Sequence, residues 1–231
     1  MRIAQVQNGH IPIPRNGWGA TELIIWEYKL GLEKLGHQVD VRYLNEVTPD
    51  YDIVHIHVAN LAIECASRGI PYIFSFHDHH AYHYGRDSFN YRQNLDAIKG
   101  SVFSICHAEY LLDYFESDKL FFLSHGVNTS FFTTKEKKDE NLSLLCLASN
   151  GLGGDNGFDR KGFRFAIEAA KTLNLPITVA GTKANEEFFK IHKDLEYEKL
   201  TIINDNPNDD KIKKLYHSHS IFIHPSMLEA G

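Results

Sequence analysis

The chain has 231 residues, 43% hydrophobic and 23% charged, enough for one large domain or two small ones with a sizeable core. Its net charge of −6 and pI near 6.1 argue against a general nucleic-acid binder, which would carry a basic face, though a local basic groove stays open. Cys65, Cys106 and Cys146 sit singly in apolar segments without CxxC spacing, a pattern of buried reduced thiols rather than disulfides or a zinc site. The start, MRIAQVQNGH, lacks the apolar core of a signal peptide, and no apolar run approaches the ~20 residues needed to cross a bilayer, so a cytoplasmic protein is expected.

In chain order, Ile3 to Val6 reads as a buried strand, followed by a loop, His10 to Gly19, punctuated by Pro12, Pro14, Gly17 and Gly19. Thr21 is placed to cap a helix with Glu22 in its first turn; Leu23, Trp26 and Leu30 carry its apolar face to Leu35, and Gly36 stops it. Strands Val39 to Tyr43 and Ile53 to His57 follow, then a helix over about Leu61 to Ser67 and a strand from Tyr72 to Phe76. A helical segment at Leu95 to Ile98, strand Val102 to Ile105, helix Tyr110 to Phe115 and strand Leu120 to Leu123 complete about six strands. Helices alternating with strands in this way predict a doubly wound parallel sheet.

TTKEKKDEN, residues 133–141, carries no apolar residue and reads as a linker between a first domain, 1–132, and a second, 142–231. The second opens with a complete βαβ unit. Leu142 to Ala148 is an apolar run of strand length, and Ser149 to Gly157 is crowded with Gly, Asn and Asp, which favour turns. Phe163, Ala166, Ile167, Ala170 and Leu173 then recur at helical spacing before Pro176 and the strand Ile177 to Ala180. A polar helix around Asn185 to Asp194, strand Leu200 to Ile203, helix Ile212 to Tyr216 and strand Ile221 to Ile223 continue the alternation. Arg160 and Lys161 fall between the Gly-rich loop and the first helix. A helix start offers unpaired N–H groups and a positive dipole end, so these two cations beside it outline a pyrophosphate site that needs no metal; a solvated basic pair is the alternative.

Several separate segments together resemble the retaining glycosyltransferases of family four, in the glycogen-synthase-like superfamily with the GT-B fold. PRNGWGATE, 14–22, is similar to that family's P-x-x-G-Y-G-G-T-E loop; DIVHIH, 52–57, to its D-V-V-H-x-H strand; and IPYIFSFHD, 70–78, to its P-V-V-x-T-x-H-D strand. SHGVNTSFF, 124–132, is similar to its N-G-V-D-x-x-x-F connection, RKGF to the K-G of its donor loop, and HPSMLEAG, 224–231, begins its P-S-x-x-E motif. The resemblance implies two tandem Rossmann-like α/β domains, the second incomplete. It also implies a nucleotide-diphosphate-sugar donor held mainly by the second domain, an acceptor held mainly by the first, no further cofactor and no metal. The acceptor class, whether glycan, lipid, small molecule or modified nucleic acid, stays open.

Residue by residue, the resemblance places Gly19 and Ala20 against the donor phosphate, where Ala20 departs from the family's glycine pair. Lys161, with Arg160 beside it, would neutralise charge building on the departing diphosphate. Asn150 stands near where the family usually carries a further Arg, and Arg160 would substitute for it. His77 would contact the transferred sugar, and Glu229 would bind donor-sugar hydroxyls as the first carboxylate of the family's E-x7-E motif. The second carboxylate lies beyond Gly231. The reading is therefore of a fragment whose second sheet lacks its last helices, with little transfer activity on its own and a tendency to self-associate.

The run HDHHAYH, His77 to His83, with His55 and His57 nearby in sequence, also allows a metal-dependent hydrolase, but none of the recognised zinc spacings is present, and metal analysis would decide. A GT-B nucleotide-sugar epimerase and a non-catalytic nucleotide-sugar-binding module are further alternatives. Turnover of donor alone, and nucleotide binding without turnover, would identify each.

Overall fold

A computed structural model describes residues 1–15, 19–77, 80–134, 141–149, 152–153 and 158–227. The chain divides into two compact units, Met1–Gly126 and Val127–Glu229. In the first, the order is β1 (Arg2–Val6), α1 (Ala20–Lys34), β2 (Gln38–Arg42), β3 (Ile53–Ile56), α2 (Ala59–Ser67), β4 (Ile73–Phe76), α3 (His80–His83), α4 (Phe89–Gly100), β5 (Phe103–Cys106), α5 (Tyr110–Phe115) and β6 (Leu120–Phe122). Every pairing is parallel, and the sheet runs β2-β1-β3-β4-β5-β6. The order therefore reverses between β1 and β3, which leaves a crevice outside their carboxyl ends.

Strand residues two apart share a face, and the first sheet sorts its side chains accordingly. Val6, Val54, Ile56, Phe74, Phe76 and Cys106 point into one core, packed with α2, α4 and α5 through Ala62, Ile98 and Phe115. The Tyr72 hydroxyl, buried with them, donates to the Ala97 carbonyl at 2.8 Å and so meets its hydrogen-bond need inside the core.

Two boundaries differ from expectation for physical reasons. Gly19, not Thr21, is the N-cap of α1, without a side-chain cap; its φ of +128° is a conformation that side chains rarely adopt, and the helix begins directly after it at Ala20. The segment expected at Leu95 to Ile98 is only the last part of a twelve-residue α4, whose start is capped by Ser88 accepting from the Tyr91 N–H at 3.0 Å. Its first turns are polar, so apolar spacing alone conceals them.

The second unit contains β7 (Leu144–Leu147), β8 (Leu152–Gly153), β9 (Phe158–Asp159), α6 (Phe163–Leu173), β10 (Ile177–Ala180), α7 (Asn185–Ile191), β11 (Leu200–Ile203), α8 (Asp209–Ser218) and β12 (Ile221–Phe222). Its parallel sheet runs β11-β10-β7-β12, reversing between β7 and β12. β8 and β9 form an antiparallel hairpin inside what reads from sequence as plain loop, because two-residue strands are too short to show alternation. Phe163, Ile167 and Phe188 fill the core against Leu144, Cys146 and Val179. Residues ahead of β7 pack with this unit: Phe132 meets Tyr216 edge-on at 6.3 Å, and Lys213 lies over the Phe131 ring at 5.0 Å.

One close backbone approach in this unit is at Gly162, the N-cap of α6, with φ +68°; a Cβ there would collide with the Pro225 carbonyl. Gly162→Ala is therefore expected to lower the urea midpoint of the second unit, the left-handed backbone alone costing roughly 1–3 kcal/mol. An unchanged midpoint would show that the 225–227 segment yields without cost.

Candidate functional site

The residues singled out in the first unit lie at the carboxyl edge of its sheet. Opposite the apolar face, the odd-numbered positions bring Gln5 of β1, His55 and His57 from β3, Ser75 and His77 from β4, and His107 after β5 onto one polar face. Tyr28 of α1 covers part of it, its ring 5.4 Å from His55 and 6.1 Å from His57. The imidazoles form a column: centroids of His55 and His57 are 4.2 Å apart, of His57 and His77 5.3 Å, of His77 and His107 4.7 Å, and of His107 and His125 3.7 Å.

Hydrogen bonds fix the tautomers along it. With the Gln5 amide oxygen facing His57, the His57 Nε2–H donates to it at 2.7 Å, which leaves Nδ1 of His57 to accept from the His77 Nε2–H at 3.0 Å. Nδ1 of His77 then carries a lone pair. It is buried and has no hydrogen-bond partner, as does Nε2 of His107, whose Nδ1–H donates to the Leu123 carbonyl at 2.7 Å. His55 is tied separately to the Ser75 hydroxyl at 2.7 Å.

Burial holds these rings neutral. It pushes His55 down to about 3, with a smaller push from His107, and lowers His57 and His77 well below the usual imidazole range, neighbouring imidazoles adding to the effect. His107 is also lowered by burial, partly offset by the Leu123 carbonyl, and His125, whose ring packs on His107 while part of it reaches the surface, falls to about 4. Such a face can accept hydrogen bonds from hydroxyls or ligate a metal, and it resists carrying charge.

In the second unit Arg160 and Lys161 occupy the connection from β9 to α6, next to the reversal between β7 and β12. Lys161 is buried and Arg160 half-buried, its carbonyl accepting from the Met227 N–H at 3.0 Å. The expectation that the start of α6 offers unpaired N–H groups to a phosphate is corrected here. Asp159 takes two of them: its carboxylate accepts from Phe163 N–H at 3.0 Å and from Arg164 N–H at 2.7 Å, already placing an anion at the positive end of the helix.

Of the other residues singled out, Gly19 is buried and Ala20 exposed at the opening of α1. Glu229 and Asn150 lie outside the described residues. Gln5, His107 and His125 are not singled out from sequence as site residues, whereas His55 and His57 enter through the histidine-rich metal alternative. The signal was available in part, since polar residues recur at every second position through otherwise apolar strands.

No family model and no curated protein matches this chain. Solved structures do. HepE of Anabaena, in complex with UDP, superposes with a TM-score of 0.66 at 14% identity, over 97% of this chain and 74% of that one. AviGT4, a glycosyltransferase involved in avilamycin A biosynthesis, gives 0.63 at 16% identity, over 92% of this chain and 66% of that one. The fold is GT-B. The UDP-GlcNAc 2-epimerase of Methanocaldococcus jannaschii, at 0.54 and 12% identity over 96% of this chain and 78% of that one, is also similar. This GT-B chain has, among its described residues, no helix long and apolar enough to cross a membrane.

Neutral burial of His55 has a consequence for acid stability. The unfolded chain takes up its proton below the ordinary value near 6.5, while the folded chain resists until about 3. Stability of the first unit is therefore full above about pH 6.5 and falls as pH drops through that window, by up to about 1.4 kcal/mol per pH unit for this one group. His55→Gln should flatten the slope of unfolding free energy against pH between 6 and 4. An unaltered slope would assign the acid sensitivity elsewhere.

Proposed function

We propose that this chain is a retaining glycosyltransferase of the family-four type, which moves a sugar from a nucleotide-diphosphate donor to an acceptor without a catalytic metal. One observation carries the reading. Gly19, His77, Arg160 and Lys161, scattered in sequence, lie in connections that leave the carboxyl ends of parallel strands in two sheets, on a fold shared with HepE in complex with UDP. The free, buried Cys65, Cys106 and Cys146 suit a reducing, cytoplasmic setting.

In this reading Arg160 and Lys161 balance the negative charge that gathers on the departing diphosphate. A buried ammonium such as that of Lys161 acts through less screening than a surface one, so it is the larger contributor. Gly19, with its positive φ, lets backbone approach the donor at the opening of α1, next to Ala20. Asn150 and Glu229 complete the donor contacts, Glu229 on sugar hydroxyls. The lone pair on Nδ1 of His77 accepts from a hydroxyl of the transferred sugar, and a neutral ring held there by His57 tolerates the positive charge that develops on the sugar.

Lys161→Ala, with Arg160 kept, is expected to weaken binding of nucleotide diphosphate and to slow transfer at least tenfold, read by calorimetry and by a transfer assay over a panel of nucleotide sugars. Equal rates would remove Lys161 from the chemistry. His77→Ala should lower kcat far more than donor affinity, because its contact strengthens as the sugar becomes cationic; equal losses would make it a ground-state contact only. Retention is tested by NMR of the anomeric configuration of the product.

The likeness to the UDP-GlcNAc 2-epimerase favours a second reading, an epimerase acting on the donor sugar itself. Conversion of a nucleotide sugar to its epimer without acceptor would establish it.

A further inference from the structure

We propose that His77, His107 and His125 form a site for one divalent transition-metal ion of the zinc type, held by three imidazole nitrogens at the carboxyl edge of the first sheet. Their ligand atoms all lie within 4.8 Å of one another. The three come from different segments, the ends of β4 and β5 and the stretch after β6, so the fold and not a local sequence motif assembles them.

Two of the three are already set up as ligands. A metal-binding imidazole normally donates its second ring N–H to a carbonyl or another acceptor, which fixes the tautomer and aims the remaining lone pair. His107 does this through Leu123, and His77 through Nδ1 of His57, itself anchored by Gln5. Each is left with a buried nitrogen that has no hydrogen-bond partner, Nδ1 of His77 and Nε2 of His107, although a buried polar atom without a partner is costly. His107 itself is only 4% exposed. An ion would satisfy both atoms at once.

His125 closes the set. Zinc–nitrogen distances of about 2.0–2.1 Å require ligand atoms about 3.4 Å apart in a tetrahedron, so atoms that now lie within 4.8 Å of one another must draw together by no more than about 1.4 Å. His125 is the member free to do so, since it is exposed, follows β6 and lies in a stretch without regular structure. It now stacks on His107 with an interplanar angle of 22°, and ligation turns its ring out of that stack to bring its lone pair onto the ion. Leu123, whose carbonyl orients His107, lies two residues before it, so one short segment both orients one ligand and supplies another.

Three nitrogen ligands, with no oxygen ligand in the cluster among the described residues, select Zn²⁺, Co²⁺, Ni²⁺ or Cu²⁺ over Mg²⁺ and Ca²⁺. Three protein ligands also leave a coordination position open. The ion would take the same lone pair of His77 that the transfer reading gives to a sugar hydroxyl, so metal and substrate would compete for one atom. The site itself rests on the first unit's geometry alone.

The test is titration of untagged, metal-stripped chain with Zn²⁺ and with Co²⁺, in the absence of any nucleotide sugar. One equivalent should bind at micromolar concentration or tighter, with a visible ligand-field band for Co²⁺ and no binding of Mg²⁺. His125→Ala should weaken Zn²⁺ binding at least tenfold while leaving the thermal midpoint of the metal-free protein unchanged, and His107→Gln should weaken it similarly. A double variant, His80→Ala with His83→Ala, serves as the control for the neighbouring histidine-rich turn and should bind as the parent does. Absence of stoichiometric binding, unchanged affinity in His125→Ala, or loss confined to the His80/His83 variant would overturn the site. Because no sugar donor is present, none of these outcomes depends on transfer activity, and an inactive transferase would leave a bound ion in place.

Discussion

The first unit depends on the two-residue alternation of a sheet that is covered on both sides. A parallel sheet normally carries apolar side chains on both faces, because helices bury both. Here one face obeys the rule, with Val54, Ile56, Phe74, Phe76 and Cys106 in the core, while the other substitutes Gln5, His55, His57, Ser75, His77 and His107. Burying so many polar rings is tolerable only because each finds a partner within the face, His55 on Ser75, His57 on Gln5 and His77, and His107 on Leu123. Desolvation then removes the option of charge, and the rings stack as neutral aromatics. The polar face is thus a consequence of register: a slip of one residue in β3 would exchange His55 and His57 for Val54 and Ile56.

Much of the fold was legible in the sequence, and the particular elements show why. β10 was found with its exact span, Ile177–Ala180, as was α5 at Tyr110–Phe115, because apolar periodicity is strong there and Pro176 or a change of period marks the edges. Elements whose stability comes from caps and tertiary contacts were harder. The first turns of α4 are polar and visible only through Ser88; α8 begins at Asp209 rather than Ile212, because Asn208 accepts from Lys211 N–H and the acidic first turn precedes the apolar residues. The hairpin of β8 and β9 had no readable pattern at all.

The candidate site divides in the same way. His77 was legible because it belongs to a strand motif, whereas His107 and His125 stand alone in sequence and become relevant only when β4, β5 and β6 lie side by side. Histidines stand out where they cluster, in the run from His77 to His83, yet that run folds partly into a single helical turn, α3, and of it His77 alone among the described residues joins the group that meets in space, with His107 and His125 coming from elsewhere. Sequence proximity and spatial convergence are different quantities, and parallel sheets separate them strongly, since neighbouring strands are joined by whole helices. The helix start of α6 teaches the converse lesson. Its composition promised free N–H groups, but Asp159, only three residues before the N-cap at Gly162, turns back to occupy two of them, a local capping interaction that sequence spacing alone does not decide.

The two units solve the problem of binding charge in opposite ways. The first keeps its edge neutral, because burial disfavours protonation at every ring of the column. The second places Arg160 and the buried Lys161 in its first βα connection and gives two N–H groups of the helix start to the Asp159 carboxylate. Asp159 and Lys161 each lie near enough to Cys146 to influence its thiol, which burial pushes up to about 12, with Asp159 raising and Lys161 lowering it. The carboxylate that caps α6 therefore also acts on the Cys146 thiol, and one short segment, turned by the left-handed Gly162, does both.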